Sequence, residues 1–241
     1  MGKIVSICAI KGGVGKTTTA AALASAAAYL GKKVLAVDMD AQANLSFTLG
    51  ANARGPGSCD LLEGRAPAAD CIQHTGAGID VMAAGQGLAL LSTGKGSAKR
   101  LQRALEPVRD MYDFIFIDTP PNGELLFNAL QAADKAVFPI QADIYNLQAL
   151  YQIMDIVKHL QKSNPALTPA GFIVTRAGRS NISKTMRDRI DQAAEAAGVP
   201  YLGSVRTGAA VEEAAALRTP LFEYAPKSNP ARDYLTIFEQ L

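Results

Sequence analysis

One eight-residue run constrains this chain more than any other feature: Lys11-Gly12-Gly13-Val14-Gly15-Lys16-Thr17-Thr18, set between the apolar segment Ile4 to Ile10 and an alanine-rich stretch from Lys16 to Leu30. Three glycines in four positions neither extend a strand nor propagate a helix, so the backbone turns there. A strand, a glycine turn and a helix opening on Lys-Thr-Thr make a phosphate-binding loop. Its backbone N–H groups face inward, and the positive end of the helix dipole points at the anion. In such a loop all of Lys11, Gly12, Gly13, Val14, Gly15, Lys16, Thr17 and Thr18 border the phosphates of a nucleotide. Lys16 reaches the β and γ phosphates, and the Thr17 hydroxyl is a Mg²⁺ ligand. The ordinary pattern of this loop has glycine at position 10; here Ile10 stands there and a second lysine, Lys11, opens the loop.

The rest of the chain predicts an α/β frame around that loop. Apolar, β-branched runs recur at Ile4 to Ile10, Val34 to Val37, Phe114 to Ile117, Ala136 to Ile140 and Gly171 to Val174, as expected of buried parallel strands. Between them lie helical stretches at Lys16 to Leu30, Leu147 to Leu160 and Ser183 to Ala197, the first and third stopped by Gly31 and Gly198. The alternation predicts one doubly wound, mostly parallel sheet flanked by helices, a single P-loop NTPase domain over residues 1–241. Residues 50–100, rich in glycine, read as an elaborated crossover.

Two further segments place acids where such sheets bind ligands, at the C-terminal ends of strands. Val34 to Asp38 runs into Met39-Asp40-Ala41-Gln42, and Phe114-Ile115-Phe116-Ile117 ends in Asp118-Thr119-Pro120-Pro121. The second is a Walker B arrangement, in which a buried strand delivers Asp118 to the Mg²⁺ shell. An Asp-x-Asp after a strand also serves as a helix cap, and Thr-Pro-Pro also serves as a stiff turn, so both segments keep two readings.

With 49% apolar and 19% charged residues the chain is globular, and no stretch approaches the ~20 apolar residues of a membrane span. The early apolar run is too short for a signal peptide. Cys8, Cys59 and Cys71 have no metal-type spacing, and a reduced, cytoplasmic protein is expected. His74 and His159 read as isolated surface or capping residues. Net charge is only +2, but Lys158, Lys162, Arg176, Arg179, Lys184, Arg187 and Arg189 face a single acid, Asp188, over one segment. Such a surplus is either a solvated face or a phosphate-contacting surface.

Lys11 together with Lys16 resembles the deviant Walker A box of the ParA/MinD family of ATPases, and Asp38-Met39-Asp40-Ala41-Gln42 is similar to that family's D-x-D-P-Q box, with Ala41 in place of proline. Asp134 to Gln141, Asn146 to Leu150, and the tail from Val211 through Thr219-Pro220-Leu221 and Tyr224-Ala225-Pro226-Lys227-Ser228 to Tyr234 resemble the ParA branch in particular, so the resemblance spans Ile4 to Leu241. It implies a nucleotide-sandwich homodimer in which Lys11 reaches the phosphates held by the other subunit, with ATP and Mg²⁺ as cofactors. It implies catalytic roles for Lys11, Lys16 and Asp40, the last positioning the attacking water. Metal or loop support falls to Thr17, Asp38 and Asp118, and base contacts to Thr175, Arg176 and the segment Ser204 to Thr207 that includes Arg206.

The function implied is ATP-dependent partitioning of a plasmid, chromosome or integrated element. Nonspecific DNA would be bound through Lys184, Arg187, Arg206, Arg218 and Lys227, and released when a ParB-like or other adaptor stimulates an ATPase that is weak alone. Nucleoid association in the ATP state is implied with it. Since the sequence begins at its first strand, an N-terminal helix-turn-helix reader is not expected. A MinD-like membrane role would call for a basic amphipathic helix, yet Asp233 to Leu241 holds two acids and no lysine or arginine. A nitrogenase-reductase role would call for cluster-holding cysteines, and none follows Cys71. The same fold positioning a protein assembly instead of DNA is the remaining alternative.

Overall fold

The computed structural model describes residues 1–76, 78–85, 87–91, 99–142, 144–177, 181–196 and 198–241; the side chains of 144–147, 181–184, 186, 187, 193 and 196 are outside the description. Its frame is one sheet. The strands are β1 (Lys3–Ile7), β2 (Val34–Asp38), β3 (Ile72–His74), β4 (Ile79–Met82), β5 (Phe114–Asp118), β6 (Lys135–Gln141), β7 (Thr168–Ala177) and β8 (Tyr201–Arg206). They lie in the order β3-β4-β2-β5-β1-β6-β7-β8, and every pairing is parallel except β3 with β4. The five strands expected from apolar runs are all present. Parallel strands must be covered on both faces, which is why they read as continuous Val/Ile/Phe runs.

Helices supply the cover in two layers. On one side α1 (Lys16–Tyr29), α2 (Asn44–Thr48), α8 (Ala209–Ala216), α9 (Leu221–Tyr224) and α10 (Asn229–Phe238) pack around Val5, Ile7, Ala36 and Phe116. On the other, α3 (Ser58–Glu63), α4 (Arg100–Arg109), α5 (Glu124–Ala132), α6 (Ile144–Leu160) and α7 (Asn181–Ala196) pack around Ile4, Leu35, Ile115 and Phe138. Alternate residues of each strand thus serve opposite cores. Most buried residues of α1 are alanine, and small side chains let it lie close to the sheet while α9 and α10 close over it.

The structure corrects the sequence reading in three places. The first strand ends at Ile7, and Cys8 to Ile10 already belong to the loop, although the Cys8 N–H still bonds the Val137 carbonyl at 3.0 Å. Residues 50–100 contain a core strand: β4 pairs with β2, and Ile79, Val81 and Met82 are buried. The edge strand β8 was not anticipated; its approach to β7 depends on Gly171, where φ is +153° and a Cβ would stand 2.5 Å from Leu202 Cγ.

His74 is not isolated either. It faces Asp80 across the β3–β4 pair, with Nδ1 2.7 Å from Oδ1, and the Tyr112 hydroxyl donates to the other Asp80 oxygen at 2.8 Å.

Candidate functional site

The C-terminal ends of β1, β2, β5, β6 and β7 converge on the loop between β1 and α1. Gly13 and Gly15 adopt left-handed backbone angles, φ +74° and +94°, which residues with a Cβ rarely take. A Cβ at Gly12 or Gly13 would meet nothing within 4 Å, so this side of the loop faces open space. Lys16, 7% exposed, bends over the loop and its ammonium donates to the Lys11 carbonyl at 3.3 Å. Burial pushes the Lys16 pKa down, and Asp118 and Asp40 pull it back up. Lys11 is half-buried at the rim.

Three acids stand beside that lysine. Asp38 and Asp118 are register partners on β2 and β5, and both are fully buried. The Thr17 hydroxyl donates to Asp118 Oδ2 at 2.6 Å, while Asp118 Oδ1 is buried with no hydrogen-bond partner. Burial, reinforced by the neighbouring Asp38 charge, raises the Asp118 pKa well above the usual carboxylate range. Asp38 has both oxygens engaged: Oδ1 accepts the Asp40 N–H at 3.1 Å, and Oδ2 accepts the Ser46 N–H at 2.8 Å and hydroxyl at 2.7 Å. Burial still pushes Asp38 up to about 6. Asp40 lies half-buried on the turn that follows and accepts the Gln42 N–H at 3.0 Å.

Two buried, adjacent carboxylates are costly without cations. Lys16 offsets part of that charge, and the Asp118 carboxylate, bonded through one oxygen to the Thr17 hydroxyl and unpartnered at the other, joins that hydroxyl as the kind of hard-oxygen donor Mg²⁺ takes. Among the described residues no group of three or more acids, histidines or cysteines could hold a metal. Mg²⁺ binds through one or two protein oxygens and completes its shell with substrate phosphates and water. The residues present therefore fit the ion: Thr17 and Asp118 would hold it, while Asp38 fixes the turn that carries Asp40.

Beside the loop lies a cleft of about 100 Å³ lined by Gly15, Thr18, Thr175, Arg176, Arg206 and Thr207, among others. The two segments expected to hold a base, Thr175-Arg176 and Ser204 to Thr207, thus come together next to the phosphate loop. Arg176 is exposed and in the left-handed region at φ +50°. The Thr175 side chain turns inward instead, its hydroxyl 2.7 Å from the Val14 carbonyl. Tyr234 of α10 closes the inner wall, and its hydroxyl is 3.2 Å from the Thr19 hydroxyl.

Of the five residues expected to contact DNA, Lys227 is exposed, and the side chains of Lys184 and Arg187 lie outside the described residues. Arg206 and Arg218 are exposed too, and each has a partner within the chain. Arg206 pairs with Asp233 through Nε at 2.9 Å and Nη2 at 2.6 Å. Arg218 donates to the Phe47 and Ala51 carbonyls at 3.2 and 3.1 Å and stacks on the Phe47 ring. Sequence reasoning missed these tertiary partners, and it missed Gln141 and Ser46 as parts of the site. Arg179 of the basic segment is outside the described residues.

A glycine loop between strand and helix, a buried lysine over it, and a Thr–Asp pair suited to a divalent cation are the parts of a P-loop nucleoside triphosphatase. Comparison with known proteins agrees. Residues 2–168 match the family model described as "AAA domain" (AAA_31). The sporulation initiation inhibitor protein Soj of Bacillus subtilis is 35% identical over 260 aligned positions, covering 100% of this chain and 98% of Soj. The chromosome partitioning protein ParA of Caulobacter vibrioides is 32% identical, covering 99% and 93%. Among solved structures, the septum site-determining protein MinD of Pyrococcus horikoshii, complexed with Mg-ADP, superposes with a TM-score of 0.82 at 29% identity, covering 100% and 96%.

The chain belongs to the ParA/MinD family of P-loop ATPases, on the Soj/ParA side of it.

Proposed function

We propose that this protein is an ATP-dependent partitioning ATPase whose nucleotide state controls assembly into a sandwich dimer and attachment to nonspecific DNA. The observation that carries the reading is the pair of lysines in one loop: Lys16 buried over it and Lys11 at its rim, on a side where Gly12 and Gly13 face open space. Two bound triphosphates facing one another repel, and a cation delivered from each subunit to the other's phosphates offsets that repulsion. In this reading Lys11 supplies that cation.

In this reading ATP is the substrate, cradled by Gly12 to Thr18, with its base in the cleft between Arg176 and Arg206. Thr17 and Asp118 would hold Mg²⁺, which would supply charge neutralisation at the phosphates. Asp40 orients the attacking water and accepts its proton; Asp38, through the Asp40 N–H, keeps that carboxylate on its turn. Turnover by the isolated protein is slow, and a ParB-like or other adaptor accelerates it. Lys184, Arg187, Arg206, Arg218 and Lys227 carry DNA contact together with the basic segment from Lys158 to Arg189, Arg206 and Arg218 being exposed while paired within the chain. The same attachment would place the protein in the cytoplasm, on the nucleoid while ATP is bound. A membrane-directed MinD-like role is less favoured by α10, whose apolar residues Tyr234, Ile237 and Phe238 are buried in the core.

Retention on a nonspecific DNA duplex, measured at fixed moderate salt with ATP, with ADP and without nucleotide, tests the proposal. Retention with ATP alone, weakened by Lys227→Glu, is expected. Equal retention in all three conditions, or none in any, would overturn it. Liposome sedimentation with ATP separates the membrane reading.

A further inference from the structure

The phosphate loop is held from outside by two strand ends. Gln141, the last residue of β6, donates through Nε2 to the Gly13 carbonyl at 2.9 Å. Thr175, near the end of β7, places its hydroxyl 2.7 Å from the Val14 carbonyl and 3.1 Å from the Ile140 carbonyl. A hydroxyl has one proton to give, and the shorter contact to Val14 is the better bond. Consecutive peptide groups of the loop are therefore fixed by side chains from neighbouring strands. Thr175 is 5% exposed, and its methyl group lies 3.4 Å from where a Cβ would stand on Gly15.

We infer that Gln141 and Thr175 are positioning residues that pre-set the phosphate loop by pinning the Gly13 and Val14 carbonyls. The inference rests on the ATPase reading above and deepens it. In a planar trans peptide the C=O of one residue and the N–H of the next point in opposite directions. Pinning the Gly13 and Val14 carbonyls toward β6 and β7 thus turns the Val14 and Gly15 N–H groups away from those strands, into the loop. Without the pins, glycines at 13 and 15 leave both peptides free to rotate, since glycine adopts either sign of φ at little cost. Ordering them would then be charged against phosphate binding, and affinity would fall. The loop's glycines thus permit its shape, and the two strand-end side chains select it.

This assigns Thr175 a different task from base recognition, and the two are separable. Binding of ADP with Mg²⁺ and of pyrophosphate with Mg²⁺ is measured by calorimetry, pyrophosphate by competition if weak, for the parent, Thr175→Val, Thr175→Ser and Gln141→Ala. Thermal melts confirm that each variant is folded. Thr175→Val keeps shape and loses the hydroxyl, and is expected to weaken ADP and pyrophosphate alike by about 5–15-fold, the worth of roughly one hydrogen bond to a buried carbonyl. Thr175→Ser is expected to restore most of that loss. Gln141→Ala is expected to weaken both ligands by about 3–10-fold, as one neutral hydrogen bond would.

Three results overturn the inference: parent-like affinity in Thr175→Val, failure of Thr175→Ser to recover, or a loss confined to ADP with pyrophosphate unaffected. The last would return Thr175 to the base. Should the parent itself bind neither ligand, the ATPase reading fails instead, which keeps the two failures distinct.

Discussion

Ser46 joins the catalytic turn to the sheet, and replacing it with alanine has a cost that should depend on pH. Its hydroxyl donates to Asp38 Oδ2 at 2.7 Å and accepts the Ala84 N–H at 3.1 Å, and the residue is fully buried. Ser46→Ala removes a charge-assisted bond, worth about 1.5–3 kcal/mol, and leaves a buried N–H without its acceptor. A loss of about 3 kcal/mol at pH 7.5 follows. The sign with pH comes from Asp38, whose folded pKa of about 6 lies above the unfolded value. The native state binds the extra proton, so parent stability falls as pH rises from about 4 through 6. Without the serine donor the carboxylate is less well supported and its folded pKa climbs further, extending that loss toward neutrality. At pH 5 the native side chain is mostly protonated, the missing bond is a neutral one, and the penalty should shrink to about 1.5 kcal/mol. Urea unfolding of nucleotide-free protein at both pH values measures the difference. Equal penalties at pH 5 and 7.5, or a loss below about 0.5 kcal/mol at the higher pH, would refute the reasoning.

Other outcomes follow from the same geometry. Lys16→Ala should abolish measurable ATP binding in a folded protein, read by calorimetry beside a thermal melt. Asp40→Ala should bind ATP with Mg²⁺ while losing at least about 100-fold in hydrolysis, read by phosphate release, as expected when a general base is removed. Tyr234 is buried against Thr19, and burial pushes its hydroxyl up to about 12. Since unfolded tyrosine ionises near pH 10, stability should drop between pH 10 and 12, and Tyr234→Phe should move alkaline unfolding, followed by circular dichroism, to higher pH.

The parts of the site carried by contiguous residues are legible in the sequence. Lys11 to Thr18, Asp38, Asp40 and Asp118 each sit at the end of an apolar strand, where chain order alone dictates position. The parts assembled across the sheet were not. Nothing in the spacing of Ser46, Gln141 and Thr175 tells that their side chains converge on Asp38, Gly13 and Val14, because that proximity is made by strand order.

The missed strands had local reasons too. β4 has only four residues and one is Asp80, which looks like a loop acid until His74 and Tyr112 satisfy it. β8 carries Gly203 and Ser204 at its middle, which breaks the apolar run that marked the other parallel strands. Arg206 and Arg218 looked like free surface cations for the same reason: their acceptors, Asp233 and the Phe47 and Ala51 carbonyls, come from other elements.

In the proposed sandwich dimer Lys11 crosses to a partner's nucleotide. Analytical ultracentrifugation of the Asp40→Ala protein at tens of micromolar, with ATP and Mg²⁺, tests that most directly. A dimer is predicted, with a return to monomer when Lys11→Ala is added and ATP binding is retained. A monomer in the first sample, or an undiminished dimer in the second, would contradict it.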